Sequence, residues 1–228
     1  MSEPSWNDVD TYINERVVGA DPVLDAALAR AAGAGLPAIE VTPSHGKLLH
    51  LLARMCGARR ILELGTLAGY STIWLARALP AGGRLITLEA DAGYAAVAQA
   101  NLAAAGLADR VEIRVGAALD SLPALAGEAP FDFVFIDADK QSTPEYLEWS
   151  LRLTHPGSVI VADNVVRDGA LADAGNDDPR VRGMQRFFDL LHAASGVTAT
   201  AVQTVGAKGW DGFALALVEE QPGAADQR

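Results

Sequence analysis

Two periodicities divide the chain. From Trp6 to Met55 apolar residues recur at helical spacing. Val9, Tyr12, Ile13 and Val17 predict one helix, and Pro22 opens a second over Val23 to Ala32 that Gly33, Gly35 and Pro37 break. Thr42 or Ser44 is placed to cap a third, with Leu48, Leu51, Leu52 and Met55 as its expected apolar face. From Arg60 the texture changes. Short apolar runs at 60–65, 84–91, 110–116, 131–139 and 158–164 alternate with alanine-rich helical stretches. That alternation predicts βαβ units and a parallel sheet covered on both faces. Residues 167–180 are polar and acidic, longer than an ordinary connector, and read as a lid. Residues 181–194 predict a helix, and TATAVQTVG and GFALALVEE, joined by AKGWDG, predict a closing β-hairpin. The expected organisation is one domain over 1–220, with 1–55 as its helical N-terminal part and a disordered tail at 221–228.

Composition narrows the partners. Half of the 228 residues are hydrophobic, enough to build a core and against wholesale disorder. With 18 basic and 29 acidic side chains the net charge is −11, which counts against nucleic acid as a default partner. The single cysteine, Cys56, has no intrachain partner and lies in an apolar stretch, so a buried thiol is expected. No run reaches the about 18 consecutive apolar residues of a membrane span. The segment MSEPSWNDVDTYINE is acidic where a secretory leader is basic and then apolar, so a cytoplasmic location is expected.

Three constellations carry candidate chemistry. Glu63-Leu-Gly65-Thr-Leu-Ala-Gly69-Tyr-Ser71 stands between a strand and a helix, where glycines admit a ligand to the backbone and the helix start offers free N–H groups. It is not G-x-G-x-x-G, and a carboxylate there suits a cationic ligand better than pyrophosphate; a tight turn without a ligand is the plain alternative. Glu89 ends the next strand, where an acidic residue either accepts two ribose hydroxyls or simply caps the strand. FIDAD-Lys140 and VADN place Asp137, Asp139, Asp163 and Asn164 at two strand ends. If those strands are neighbours, Asp137, Asp163 and Asn164 form a hard-oxygen set suited to Mg²⁺, with Lys140 as a general base beside it; otherwise they are solvated carboxylates and a surface lysine.

Together, ILELGTLAGYSTIWLA, LITLEAD, FDFVFIDADK and VIVADNVVRDG resemble the cation-dependent, S-adenosylmethionine-dependent O-methyltransferases, the family of catechol and caffeoyl-coenzyme A O-methyltransferases, in a bacterial-type member. The resemblance runs from about Ile39 to Val218 and keeps the family's motif order. It implies a Rossmann-like class I methyltransferase fold: a seven-stranded mixed sheet of order 3-2-1-4-5-7-6, strand 7 antiparallel, helices on both faces and extra N-terminal helices. It implies that Val41, Thr42, Glu63, Gly65, Gly69 and Ser71 surround the cofactor S-adenosylmethionine, with Glu89 on its ribose and Ala117 and Ala118 at its adenine. Asp137, Asp163 and Asn164 would hold a divalent cation (Mg²⁺, or else Mn²⁺ or Ca²⁺). Asp137 and Lys140 would be the catalytic pair, Lys140 also touching substrate. Asp139 matches a position of undefined role. The implied substrate is a small phenolic molecule with vicinal hydroxyls, and a homodimer is expected.

The sequence departs from the family on the substrate side. Arg167 stands where many relatives carry an aromatic residue, Asp189 or a neighbour replaces an asparagine, and His45 replaces an acidic or amide residue. Arg167 and Trp210 are the candidate substrate contacts. His45 and His50 lack the i, i+4 spacing of a shared metal site, so capping or surface roles are expected. Trp74 and Trp149 are expected to pack. Two other functions remain open: methylation of a hydroxylated nucleoside in tRNA, and a NAD-dependent dehydrogenase, which the missing G-x-G-x-x-G disfavours.

Overall fold

A computed structural model describes residues 5–219, so the tail at 221–228 lies outside the described residues. Three helices precede the sheet: α1 (Trp6–Ile13), continued by a π-helical turn at Asn14–Val18, α2 (Pro22–Gly33) and α3 (Pro43–Met55). Each starts on a side-chain cap, from Ser5, Asp21 and Thr42 respectively. Strand and helix then alternate through β1 (Arg60–Leu64), α4 (Tyr70–Ala76), β2 (Arg84–Glu89), α5 (Ala92–Ala104), β3 (Val111–Val115) and α6 (Ala118–Ser121). β4 (Phe131–Ile136), α7 (Thr143–Leu153), β5 (Thr154–Asp163), α8 (Pro179–Ala193), β6 (Val197–Gly206) and β7 (Gly209–Val218) complete the chain.

The seven strands form one sheet of order β3-β2-β1-β4-β5-β7-β6. β7 runs antiparallel to both neighbours, and the other pairings are parallel. This is the arrangement that the resemblance implies. Because successive strand residues face opposite sides, β4 feeds two apolar layers. Val134 and Ile136 pack with Leu147, Leu153, Met184 and Phe187 of α7 and α8. Phe133 and Phe135 pack with Leu24, Leu49 and Ile73 of α2, α3 and α4.

The N-terminal helices are tied down by polar contacts as well. Asn101, buried on α5, donates to the Ala68 carbonyl at 2.8 Å and the Ala27 carbonyl at 3.3 Å, and accepts from Arg30. Asp21 pairs with Arg77 at the end of α4.

The expected apolar face of α3 is corrected. Gly46, Leu49 and Ala53 are buried, whereas Leu51 and Met55 are 45% and 81% exposed. Small residues win because the helix lies close on α4: a Cβ at Gly46 would stand 2.3 Å from the Trp74 ring. Leucines on both sides of α3 hide this choice from a periodicity count. Trp74 is core as expected, and Trp149 packs at the edge of the α7–α8 layer. Cys56 is half-buried, and burial pushes its thiol up. Among the described residues no helix is long and apolar enough to cross a membrane.

Candidate active site

A cavity of about 1090 Å³ opens at the carboxyl ends of the strands. That exceeds what one small ligand fills, so it has room for two. Its wall includes Val41, Thr42, Gly65, Ser71, Glu89, Ala117, Ala118, Asp137, Lys140, Asp163, Asn164 and Arg167. Residues far apart in sequence thus meet because parallel strands end on one side.

The glycine turn builds the floor. Gly65 has φ of +94°, and a Cβ there would lie 2.1 Å from the Asp137 carbonyl oxygen, so only glycine lets β1 and β4 leave the sheet side by side. Glu89 holds the turn from β2: its Oε2 accepts from the Thr66 and Leu67 amides at 3.1 and 2.8 Å. Its Oε1 accepts from the Asp91 amide at 2.9 Å. The chain then bends at Gly116 (φ +142°) to bring Ala117 and Ala118 to the opposite wall. Thr42 caps α3 by accepting from the His45 amide at 3.2 Å.

Three candidates lie off the cavity wall. Glu63 is fully buried beneath it, accepting from Ser71 Oγ and Thr72 Oγ1, each at 2.6 Å. Desolvation raises its pKa to about 7, against the Ser71, Thr72 and Thr87 hydrogen bonds, with Asp137 adding repulsion. Gly69 (φ +81°) starts α4 and packs on Ala98 of α5. Trp210, 41% exposed on the hairpin, donates to Gln203 at 2.9 Å and stacks where Gly169 leaves room. Across the hairpin Trp210 pairs with Val205, which does line the cavity.

The polar end of the cavity is crowded. β4 and β5 are neighbours, which brings together Asp137, Asp163 and Asn164. Lys140 Nζ donates to Asp137 Oδ1 at 2.7 Å. Burial, and then the Asp137 carboxylate, push Asp163 up to about 8. Lys140 is held from behind by α8: a Cβ at Gly183 would lie 2.2 Å from the Lys140 carbonyl oxygen. Asp139, also on the cavity wall, accepts from the Ser142 amide and the Tyr146 hydroxyl and so caps the turn that carries Lys140.

His45 corrects its expectation. It lines the cavity beside Phe213, its ring edge-on to the buried Phe135, with Nδ1 3.6 Å from Asp163 Oδ2. Burial lowers its pKa, against the pull of Asp137. The signal that could have found it was its place in the first turn after the Thr42 cap, facing the strand ends. The acidic run Asp173–Asp178 is likewise structured. Asp173 accepts from the Gly175 amide, and Asp178 caps α8 through the Arg180 amide at 2.8 Å. Asp211 does more than brace its hairpin: Oδ1 accepts from the amides of Val166, Arg167 and Gly212, fixing the chain that follows Asn164.

Residues 16–217 match the family model described as O-methyltransferase. The chain belongs to the O-methyltransferase family. The match sets the dehydrogenase reading aside. This O-methyltransferase is 53% identical to a catechol O-methyltransferase of Niastella koreensis over 96% of its own length and 100% of that protein. It is 52% identical to a catechol O-methyltransferase of Mycobacterium tuberculosis, over 95% and 97% of the two chains. Among solved structures, the O-methyltransferase of Bacillus cereus in complex with SAH superposes with a TM-score of 0.92 at 53% identity, covering 94% of this chain and 98% of that one.

Proposed function

We propose that the enzyme transfers a methyl group from S-adenosylmethionine to one hydroxyl of a vicinal diphenol, with the help of a divalent cation. The observation that carries this reading is one cavity holding Glu89 on one wall and the Asp137–Asp163–Asn164–Lys140 group on another. SAH, held by the Bacillus cereus relative, is what the donor becomes after losing its methyl group, and the names of the curated relatives support a catechol-type acceptor.

The donor set fits a cation. Burial, and then the neighbouring Asp137 carboxylate, push Asp163 up, and a dication between the two would offset both. Asp137, Asp163 and Asn164 would offer two carboxylates and an amide oxygen. Such a set suits a hard ion that keeps open positions, Mg²⁺ above all. When bound, the ion supplies positive charge that acidifies a neighbouring phenol.

The chain's own residues do the rest. Ser71, Gly65 and the Thr42–Val41 segment shape the methionine end of the donor pocket, Glu89 accepts ribose hydroxyls, and Ala117 and Ala118 leave room for a flat base. As a neutral amine, Lys140 Nζ would take the phenol proton while the oxygen attacks the methyl group and the sulfonium leaves as the neutral thioether SAH. Attack of an anion on a sulfonium cancels charge, so the apolar side chains of Phe213 and Leu48 in the cavity wall favour it by excluding water, and positioning provides much of the rate. Incubation with catechol and labelled S-adenosylmethionine should give methylated product in Mg²⁺. Chelator, or Asp137→Ala, should remove turnover while calorimetry still detects donor binding. Full turnover in chelator would refute the cation.

A further inference from the structure

The cations of the cavity wall are not equivalent. Lys140 pairs with Asp137 at 2.7 Å, Arg180 with Asp178 at 2.6 Å, and Lys208 with Glu40 at 3.2 Å. Among the described residues Arg167 alone of the lining cations has no carboxylate within salt-bridge distance, and its buried Nε has no hydrogen-bond partner. An always-charged guanidinium on a cavity wall without a paired carboxylate favours an anionic partner.

The backbone holds Arg167 in place for that purpose. It sits in the left-handed region (φ +57°), a strained choice for a residue with a side chain. Its amide is fixed on Asp211 Oδ1 at 3.1 Å, and the amide of Asp168 is fixed on the Trp210 carbonyl at 3.1 Å. The anchor carboxylate spends that oxygen on three amides. Only Val165 and Val166 separate Arg167 from Asn164, and both Arg167 and Asn164 line the cavity, so its charge belongs to the end where the acceptor's hydroxyls would lie.

We infer that Arg167 forms an anion subsite, and that the preferred acceptor is a vicinal diphenol carrying a carboxylate. The inference rests on the diphenol reading above. The planar guanidinium fork matches a carboxylate, and a charge-assisted hydrogen bond in a partly dry site discriminates strongly against an uncharged isostere. A cationic side chain on the diphenol would meet the same charge as repulsion.

The test compares 3,4-dihydroxybenzoate and 3,4-dihydroxycinnamate with their methyl esters and with dopamine, for the wild type and for Arg167→Met and Arg167→Lys. Expected in the wild type is a kcat/KM for at least one acid about tenfold or more above its ester, with dopamine lowest. Arg167→Met should bring the acid-to-ester ratio to near one, whatever it does to turnover in general, and Arg167→Lys should keep part of the preference. An acid-to-ester ratio within twofold in the wild type, or one that Arg167→Met leaves standing, overturns the subsite. Calorimetry of acid and ester with SAH and Mg²⁺ present separates the two ideas. If no diphenol is turned over while the acid binds in an Arg167-dependent way, the diphenol reading fails and the anion subsite stands.

Discussion

At the residue scale, Glu63 shows how a site residue can act without touching a ligand. Its carboxylate is sealed under Ser71 and Thr72, where ionisation is disfavoured. A folded pKa near 7, against 4.5 in the open chain, means the native state holds the extra proton between those values. The associated stability is full below pH 4.5 and is lost as pH rises through 7, in total about 3 kcal/mol by the linkage relation. In thermal scans of the ligand-free protein, this residue should add a fall in Tm between pH 5 and 8. Glu63→Gln, which can keep both hydroxyl contacts, should flatten that part of the profile. A mutant profile parallel to the wild type would show that the carboxylate ionises without cost. His45 makes the opposite point: it is at the cavity, yet histidine spacing directs attention to the surface, because spacing says nothing of the strand ends that a helix start faces.

At the scale of elements, close backbone approach sets the geometry. Helix α8 bears on the Lys140 turn only because Gly183 has no side chain. Gly183→Ala should push the two apart, costing about 1–3 kcal/mol of stability and tenfold or more in kcat, with the donor's Kd little changed. Equal losses in Kd and kcat would place the damage in the fold as a whole. The strands were legible in sequence because their apolar runs are short and end in Asp, Glu or Gly; observed and expected limits differ mainly at β5, which begins at Thr154, four residues before the apolar run. Their order was not: nothing in periodicity says that β4 neighbours β1, and that came from the resemblance. Glu89, Asp137, Asp163 and Asn164 were legible as candidates because each ends or directly follows a strand. The bracing by Asp139, Asp178 and Asp211 was not, since capping depends on which amides a turn leaves free.

At the scale of the whole molecule, part of the surplus negative charge has a place. Glu63 lies beneath the cavity and Glu89 lines it, Asp137 and Asp163 stand at its polar end, and Asp21, Asp91 and Asp178 cap helices. The far edge of the sheet is less guarded. β6 is the last strand in the order, all but its two end residues are exposed, and the run Val197–Val205 contains no charge. Among the described residues its nearest cover is α1, whose Asp10 accepts from the Ala207 amide at 2.8 Å and meets Gly206. A long uncharged edge offers its free N–H and C=O groups to any similar strand, so it is a template for edge-to-edge growth. The first helix meets this edge at its Gly206 end, and that contact is expected to slow such growth. Removal of residues 1–18 should hasten thioflavin-positive aggregation on mild heating, and Thr200→Lys in the same background should slow it again, because a lysine on an edge strand blocks its extension.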